Sequence, residues 1–167
     1  MDQTLSVRAA DLINGLTRHE LTLLFEKYAE EPASKKIAET IVEKRAEKPI
    51  TTTRELAVIL EKRLGRFGKI HPATRVFQAL RIAVNDELHA FEEGIVRGWP
   101  LLRRGGRMVV VSFHSLEDRI AKRAFLQFAN DGSGSILTDK PLLPEESEIQ
   151  KNTRSRSAKL RAIEKIL

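Results

Sequence analysis

A β-branched run, Met108-Val109-Val110-Val111, is followed at once by Ser112, Phe113, His114 and Ser115, with Asp118 one turn on. In an open α/β sheet, ligands lie at the carboxyl ends of strands. A hydroxyl, an imidazole and a carboxylate here therefore stand where a ligand would be handled. No matching base and acid spacing makes His114 or a serine part of a nucleophilic triad. Two readings of His114 stand side by side. Either it touches a ligand at the strand end, or Ser115 and Asp118 cap the next helix while His114 hydrogen-bonds locally. A second group, Arg154, Arg156, Lys159 and Arg161, places four cations among serines. Arginine forks suit phosphate oxygens, whereas the plainer alternative is a strand edge kept in solvent by its charge. The clustering and the basic balance of the chain favour contact with RNA. Arg81 and Asn85 are one turn apart on the same helix as Arg75. They either line a cleft or decorate a helix surface. Trp99, before Pro100, reads as a packing anchor at a helix end.

Composition narrows what these groups can do. The chain has 167 residues, 41% hydrophobic and 31% charged, which suits one ordinary folded domain or two small ones and excludes a disordered chain. Cysteine is absent, so disulfides and thiolate zinc sites are excluded. His19, His71, His89 and His114 are scattered outside any His/Asp/Glu cluster, and no metal is expected. No apolar run approaches the ~20 residues that span a bilayer. The opening residues lack the basic and apolar regions of a secretory signal, so no membrane association and a cytoplasmic location are expected. The formal charge of +6 favours an anionic partner.

Helices come first along the chain. Ala9, Ala10, Leu12 and Ile13 form a short apolar stripe that ends near Asn14-Gly15. Thr17-Arg18-His19-Glu20 has the capping-box pattern and opens a helix with Leu21, Leu24, Phe25 and Tyr28 inward. Pro32 suits a first turn, and Ile37, Ala38, Ile41 and Val42 recur at helical spacing up to about Lys48. Thr52-Thr53-Arg54-Glu55 offers a second capping box, and Gly65 a natural stop. Residues 66–71 read as a linker. From Pro72 the longest helical pattern runs through Val76, Phe77, Leu80, Val84, Leu88, Phe91 and Ile95, ending at Gly98 and Pro100. The run from Met108 has the character of a strand covered on both faces. A helix follows through Ile120, Ala124, Phe125 and Phe128. Ser135-Ile136-Leu137-Thr138 is a short strand, and residues 139–153 an ordered loop. Residues 158–166 fit either a strand or a helix. With them as a strand, three strands and few helices leave one face and one edge of an α/β sheet bare.

Three segments carry a family resemblance. The first runs from His71-Pro72-Ala73-Thr74-Arg75 to Asn85-Asp86-Glu87-Leu88. The second is Val110-Val111-Ser112-Phe113-His114-Ser115-Leu116-Glu117-Asp118-Arg119-Ile120, and the third runs from Asn152-Thr153-Arg154-Ser155-Arg156 to Arg161. Together, and with Pro49-Ile50-Thr51-Thr52-Thr53, the chain resembles the bacterial small-subunit (16S) ribosomal RNA cytosine-N4 methyltransferases. Long motifs in family order are far more specific than one short pattern.

The resemblance implies an α/β fold: a helical insert domain plus the C-terminal part of a class I S-adenosylmethionine-dependent methyltransferase sheet, Rossmann-like, with its last three strands and flanking helices. It divides the chain into residues 1–70, the helical insert, and residues 71–167, the return to the core, and it settles 158–166 as a strand. It implies N4 methylation of a cytosine, with small-subunit ribosomal RNA or the small ribosomal subunit as partner and a homodimer as a further expectation. His114 would then lie near the target cytosine or its phosphate. Such a transfer needs no covalent enzyme intermediate, because the exocyclic nitrogen attacks the sulfonium methyl directly once held in line. A glycine-rich turn after a first strand, where the backbone approaches the donor, is expected in the family and is not found in this sequence. Gly105-Gly106 precedes a strand, and neither Gly65-Arg66-Phe67-Gly68 nor Gly132-Ser133-Gly134 opens a long helix after one. The expectation is a portion of a methyltransferase that binds no S-adenosylmethionine alone, with Ser112, His114, Arg81, Asn85, Arg154 and Arg156 as substrate or RNA contacts and no catalytic residue assigned. The alternatives are a non-catalytic RNA-binding or ribosome-assembly module, and a truncated reading frame with no stable product.

Overall fold

A computed structural model describes residues 7–65 and 71–167. Among them are eight α-helices and a three-stranded sheet, so the chain is α/β. It forms two compact units, one ending at Glu87 and the other running Leu88–Leu167.

The first unit contains α1 (Ala9–Gly15), α2 (Arg18–Ala29), α3 (Ser34–Glu47), α4 (Thr53–Leu64) and α5 (Ala73–Asn85). Both expected capping boxes close. The Glu20 N–H donates to Thr17 Oγ1 at 3.2 Å while the Glu20 carboxylate accepts from the Thr17 N–H at 2.7 Å. Thr52 and Glu55 repeat the exchange at 3.2 and 3.0 Å. Each box satisfies backbone donors that a helix start leaves without partners. α4 stops at Gly65, whose φ of 76° favours a residue without a Cβ. The expected linker lies outside the described residues except for His71. Ile13, Leu21, Phe25, Ile37, Ile41, Leu60 and Val76 meet in the core, each at most 2% exposed. Each such side chain contributes about 1.5–3 kcal/mol by leaving water. α5 packs within this unit, against α2.

The long helix expected from Pro72 is two helices. Asp86 adopts a left-handed conformation, φ 48°, between α5 and α6 (Glu87–Gly98). Aspartate tolerates that region better than most side chains. The Glu87 carboxylate then accepts from Arg81 Nε at 2.9 and 3.0 Å, fastening the break to the last turn of α5.

The second unit continues with a 3-10 turn (Trp99–Leu101), β1 (Arg107–Ser112), α7 (Ser115–Asn130), β2 (Gly134–Ile136), α8 (Glu146–Lys151), a second 3-10 turn (Thr153–Ser157) and β3 (Lys159–Lys165). The ambiguous 158–166 segment is thus a strand. The expected loop 139–153 contains α8 and a β-bridge between Leu142 and Leu160. The strand order is β1-β3-β2. β3 is antiparallel to both neighbours, with Arg107 opposite Glu164, Ser112 opposite Lys159 and Ile136 opposite Ile163. β1 and β2 therefore run the same way, joined through α7, with β3 inserted between them.

One sheet face is packed. Met108, Val110, Ile136 and Ile163 close on Ile95, Trp99, Phe125 and Phe128. Trp99 stacks on Phe128 with ring centroids 4.5 Å apart, and its Nε1 donates to Ser133 Oγ at 3.0 Å, so it is the anchor its position suggested. Side chains alternate along β1, so Val109, beside Ala162, and Val111, beside Leu160, point the other way. They are 55% and 46% exposed, and Leu142 beyond them is 59% exposed. Within this chain the β-branched run is therefore covered on one face, not both. Among the described residues no strand pairs with the outer edge of β1. No helix among them is long and apolar enough to cross a membrane.

Candidate functional site

The carboxyl end of β1 sets the geometry. Ser112 is 2% exposed, and its hydroxyl donates to the Lys159 carbonyl at 3.3 Å across the β1–β3 pair. The chain turns at Phe113 and enters α7. The expected cap at Ser115 is displaced by one residue: His114 is the N-cap, and Ser115 is the first residue of the helix. His114 Nδ1 accepts from the Glu117 N–H at 3.2 Å, and the Glu117 carboxylate accepts from the Phe113 N–H at 2.8 Å. An Nδ1 that accepts places the proton of the neutral ring on Nε2. Nε2 lies 3.4 Å from Glu117 Oε1. The imidazole, 13% exposed, caps α7 where serine or threonine is usual, while the Glu117 carboxylate reaches back to the residue before the cap.

Behind this turn lies a charged pair. Asp118 Oδ1 accepts from Arg161 Nε at 2.7 Å and Oδ2 from Arg161 Nη2 at 3.3 Å. Lys159 Nζ is 3.6 Å from the same carboxylate. The Arg161 hydrogen bond holds the Asp118 carboxyl below its ordinary range, burial opposes it, and the Arg161 and Lys159 charges reinforce it. Arg161 is not one of the phosphate-facing cations its spacing suggests: its side chain is 8% exposed and committed to Asp118. It ties β3 to α7.

The outward cations come from the turn before β3. Asn152 Oδ1 accepts from the Arg154 N–H at 3.2 Å, and buried Ser155 donates to the Asn152 carbonyl at 2.7 Å. These bonds set the 3-10 turn and leave Arg154 and Arg156 exposed, with no ion pair among the described residues. The turn leads directly into Lys159, the register partner of Ser112. Of the six candidates, Ser112 ends β1 and His114 caps the helix that follows, and Arg154 and Arg156 lie on the segment entering its partner strand. Arg81 and Asn85 belong to the first unit. Arg81 is held by Glu87, and Asn85 donates to the Arg81 carbonyl at 2.7 Å. Sequence reasoning missed Glu117 as the partner of His114. The spacing of a cap residue and a glutamate three positions later carried that signal.

A methyl donor needs a cradle where backbone approaches it closely. The described glycines with positive φ, Gly65, Gly105 and Gly132, end a helix or precede a strand. β1 leads into Phe113-His114, and β2 into Leu137. Among the described residues, no glycine turn follows a strand to form such a cradle.

Residues 1–166 match the model of the MraW methylase family, and the chain belongs to that family. Relatives named ribosomal RNA small subunit methyltransferase H are 49% identical in Trichormus variabilis, over 99% of this chain and 53% of the relative, and 46% identical in Coprothermobacter proteolyticus, over 95% and 53%. A third, from Geotalea daltonii, is 44% identical over 99% of this chain and 59% of its own length. The chain spans about half the length of the curated relatives it matches.

Proposed function

We propose that this chain supplies the RNA-facing portion of a small-subunit ribosomal RNA methyltransferase, one that transfers a methyl group to a cytosine N4 only together with a donor-binding segment. The observation that carries it is the strand insertion. β3 lies antiparallel between two strands that α7 joins in parallel, as the closing strands of a class I methyltransferase sheet would. The bare face and open edge of β1 suit a sheet that continues beyond these strands. In this reading residues 1–70 are the helical insert and residues 71–167 belong to the methyltransferase core.

Each residue has a task in this reading. Arg154 and Arg156 hold RNA phosphates. Ser112 and His114 stand at the strand end that faces the target base, with Glu117 fixing the ring. Asp118 and Arg161 are positioning residues, since they set α7 and β3 relative to one another and touch no substrate.

The test is transfer of labelled methyl from S-adenosylmethionine to small-subunit ribosomal RNA. The chain alone should transfer none. Adding the stretch of the Trichormus variabilis relative that lies outside the matched half should restore transfer. Methylation by the 167-residue chain alone would overturn the reading. A non-catalytic RNA-binding module is the second reading, favoured by the lack of a donor cradle in the described residues. It expects RNA binding whose affinity falls with salt and no transfer even with the added stretch.

A further inference from the structure

We propose that the cleft between α2 and α3 is a second RNA-backbone site, on the helical unit and separate from the Arg154/Arg156 turn; it rests on the RNA reading above. Arg18, His19, Thr22, Lys35, Lys36 and Glu39 line a cavity of about 410 Å³. Three permanent cations there face one carboxylate. Glu39 Oε1 is 3.7 Å from Arg18 Nη1, beyond hydrogen-bond distance and in the open, and such a pair neutralises little. Lys35 and Lys36 make no ion pair among the described residues. They also stand in the first turn of α3, which carries no acidic residue. The helix dipole disfavours cations there, so the local fold gains nothing from them.

A neighbouring cavity supplies the contrast. It measures about 420 Å³ and is lined by Lys44, Lys48 and Arg54 among others. There Lys44 lies 2.7 Å from Glu47 and Lys48 lies 3.2 Å from Glu55. Its lysines are answered within the fold, whereas those of the α2–α3 cleft are not. Uncompensated cations around a concavity call for an anionic ligand. Among the described residues no Phe, Tyr or Trp lines the cleft to stack a base. The ligand class is therefore a phosphodiester backbone, bound for position and not for sequence.

The experiment uses the 167-residue chain and a fluorescein-labelled hairpin of small-subunit ribosomal RNA, with anisotropy read over a salt series. The triple variant Arg18→Ala/Lys35→Ala/Lys36→Ala should bind about tenfold or more weakly at low salt, with the log–log salt slope reduced by roughly 2. The equally charged control Lys44→Ala/Lys48→Ala/Arg54→Ala should lose clearly less. Thermal melts of both confirm folding. Parent-like binding by the first triple, or an equal loss in the control, overturns the cleft site. If Arg154→Ala/Arg156→Ala weakens binding while the first triple does not, the cleft alone falls. If the parent chain binds no RNA at all, the RNA reading falls, and the cleft site with it.

Discussion

Arg161 on β3 and Asp118 on α7 meet through two hydrogen bonds, at 2.7 and 3.3 Å, with side chains only 8% and 14% exposed. Two charges so placed have given up most of their hydration, and the pairing replaces it. The strand inserted in the sheet is thereby locked to the helix that crosses over it.

Asp118→Asn leaves the Arg161 guanidinium buried without its counter-charge and should cost about 3 kcal/mol or more. Urea unfolding measures this. The folded-state pKa of Asp118 is depressed, so its contribution is complete above the unfolded value near pH 4 and disappears as pH falls through the lower folded value. Asp118→Asn should remove that acid sensitivity. A variant as stable as the parent at neutral pH contradicts the clamp.

Glu55 sits at the head of α4. The Thr51 N–H bond first, then Lys48 and the Thr52 N–H, hold its carboxyl down at about 2. The stabilisation is present above the ordinary glutamate range and lost as pH falls from there towards 2. Glu55→Gln should therefore melt earlier than the parent at pH 7 and converge with it in acid. A gap that persists at the lowest pH would show that the charge is not the cause.

The His114 cap separates chemistry from structure. His114→Ala should lower stability by about 1 kcal/mol, since the Glu117 N–H loses its acceptor. His114→Asn should recover most of it, because asparagine caps well. Chemical denaturation of the three proteins decides, and equal losses in both variants would show that capping is not the interaction that matters.

Val109 and Val111 are more exposed than a β-branched strand pair should be. Val109→Lys/Val111→Lys should change the stability of the chain by no more than about 0.5 kcal/mol. The same pair should reduce binding of an apolar dye and any self-association seen by sedimentation. Strong destabilisation of this chain would show the face to be covered already.

Much of this architecture was legible in the residues. Thr17/Glu20 and Thr52/Glu55 announced their helices because a capping box is a local exchange. The strand at Met108 was legible from β-branching alone. The break at Asp86 was not, because the apolar stripe continues across it and no glycine or proline marks the left-handed residue. α8 was hidden for a related reason: Glu146–Lys151 carries no apolar stripe and buries no residue. At the site, the motif placed Ser112 and His114 correctly at a strand end. It could not show that Arg161 turns inward to Asp118 while Arg154 and Arg156 stay outside. That depends on the pairing of β3 with β1, a relationship between segments far apart in the chain.

The placement of β3 also shapes how quickly the second unit can assemble. β1 and β2 do not pair with each other, so each waits for β3, the last strand of the chain. Arg107 reaches Glu164 across 57 positions, so the β1–β3 ladder is complete only after a far longer loop has closed than the one between β2 and β3. Contacts of such long range slow folding. The second unit should therefore assemble later than the helical one, with two lone strands exposed in the interval, and refolding yield should fall as protein concentration rises.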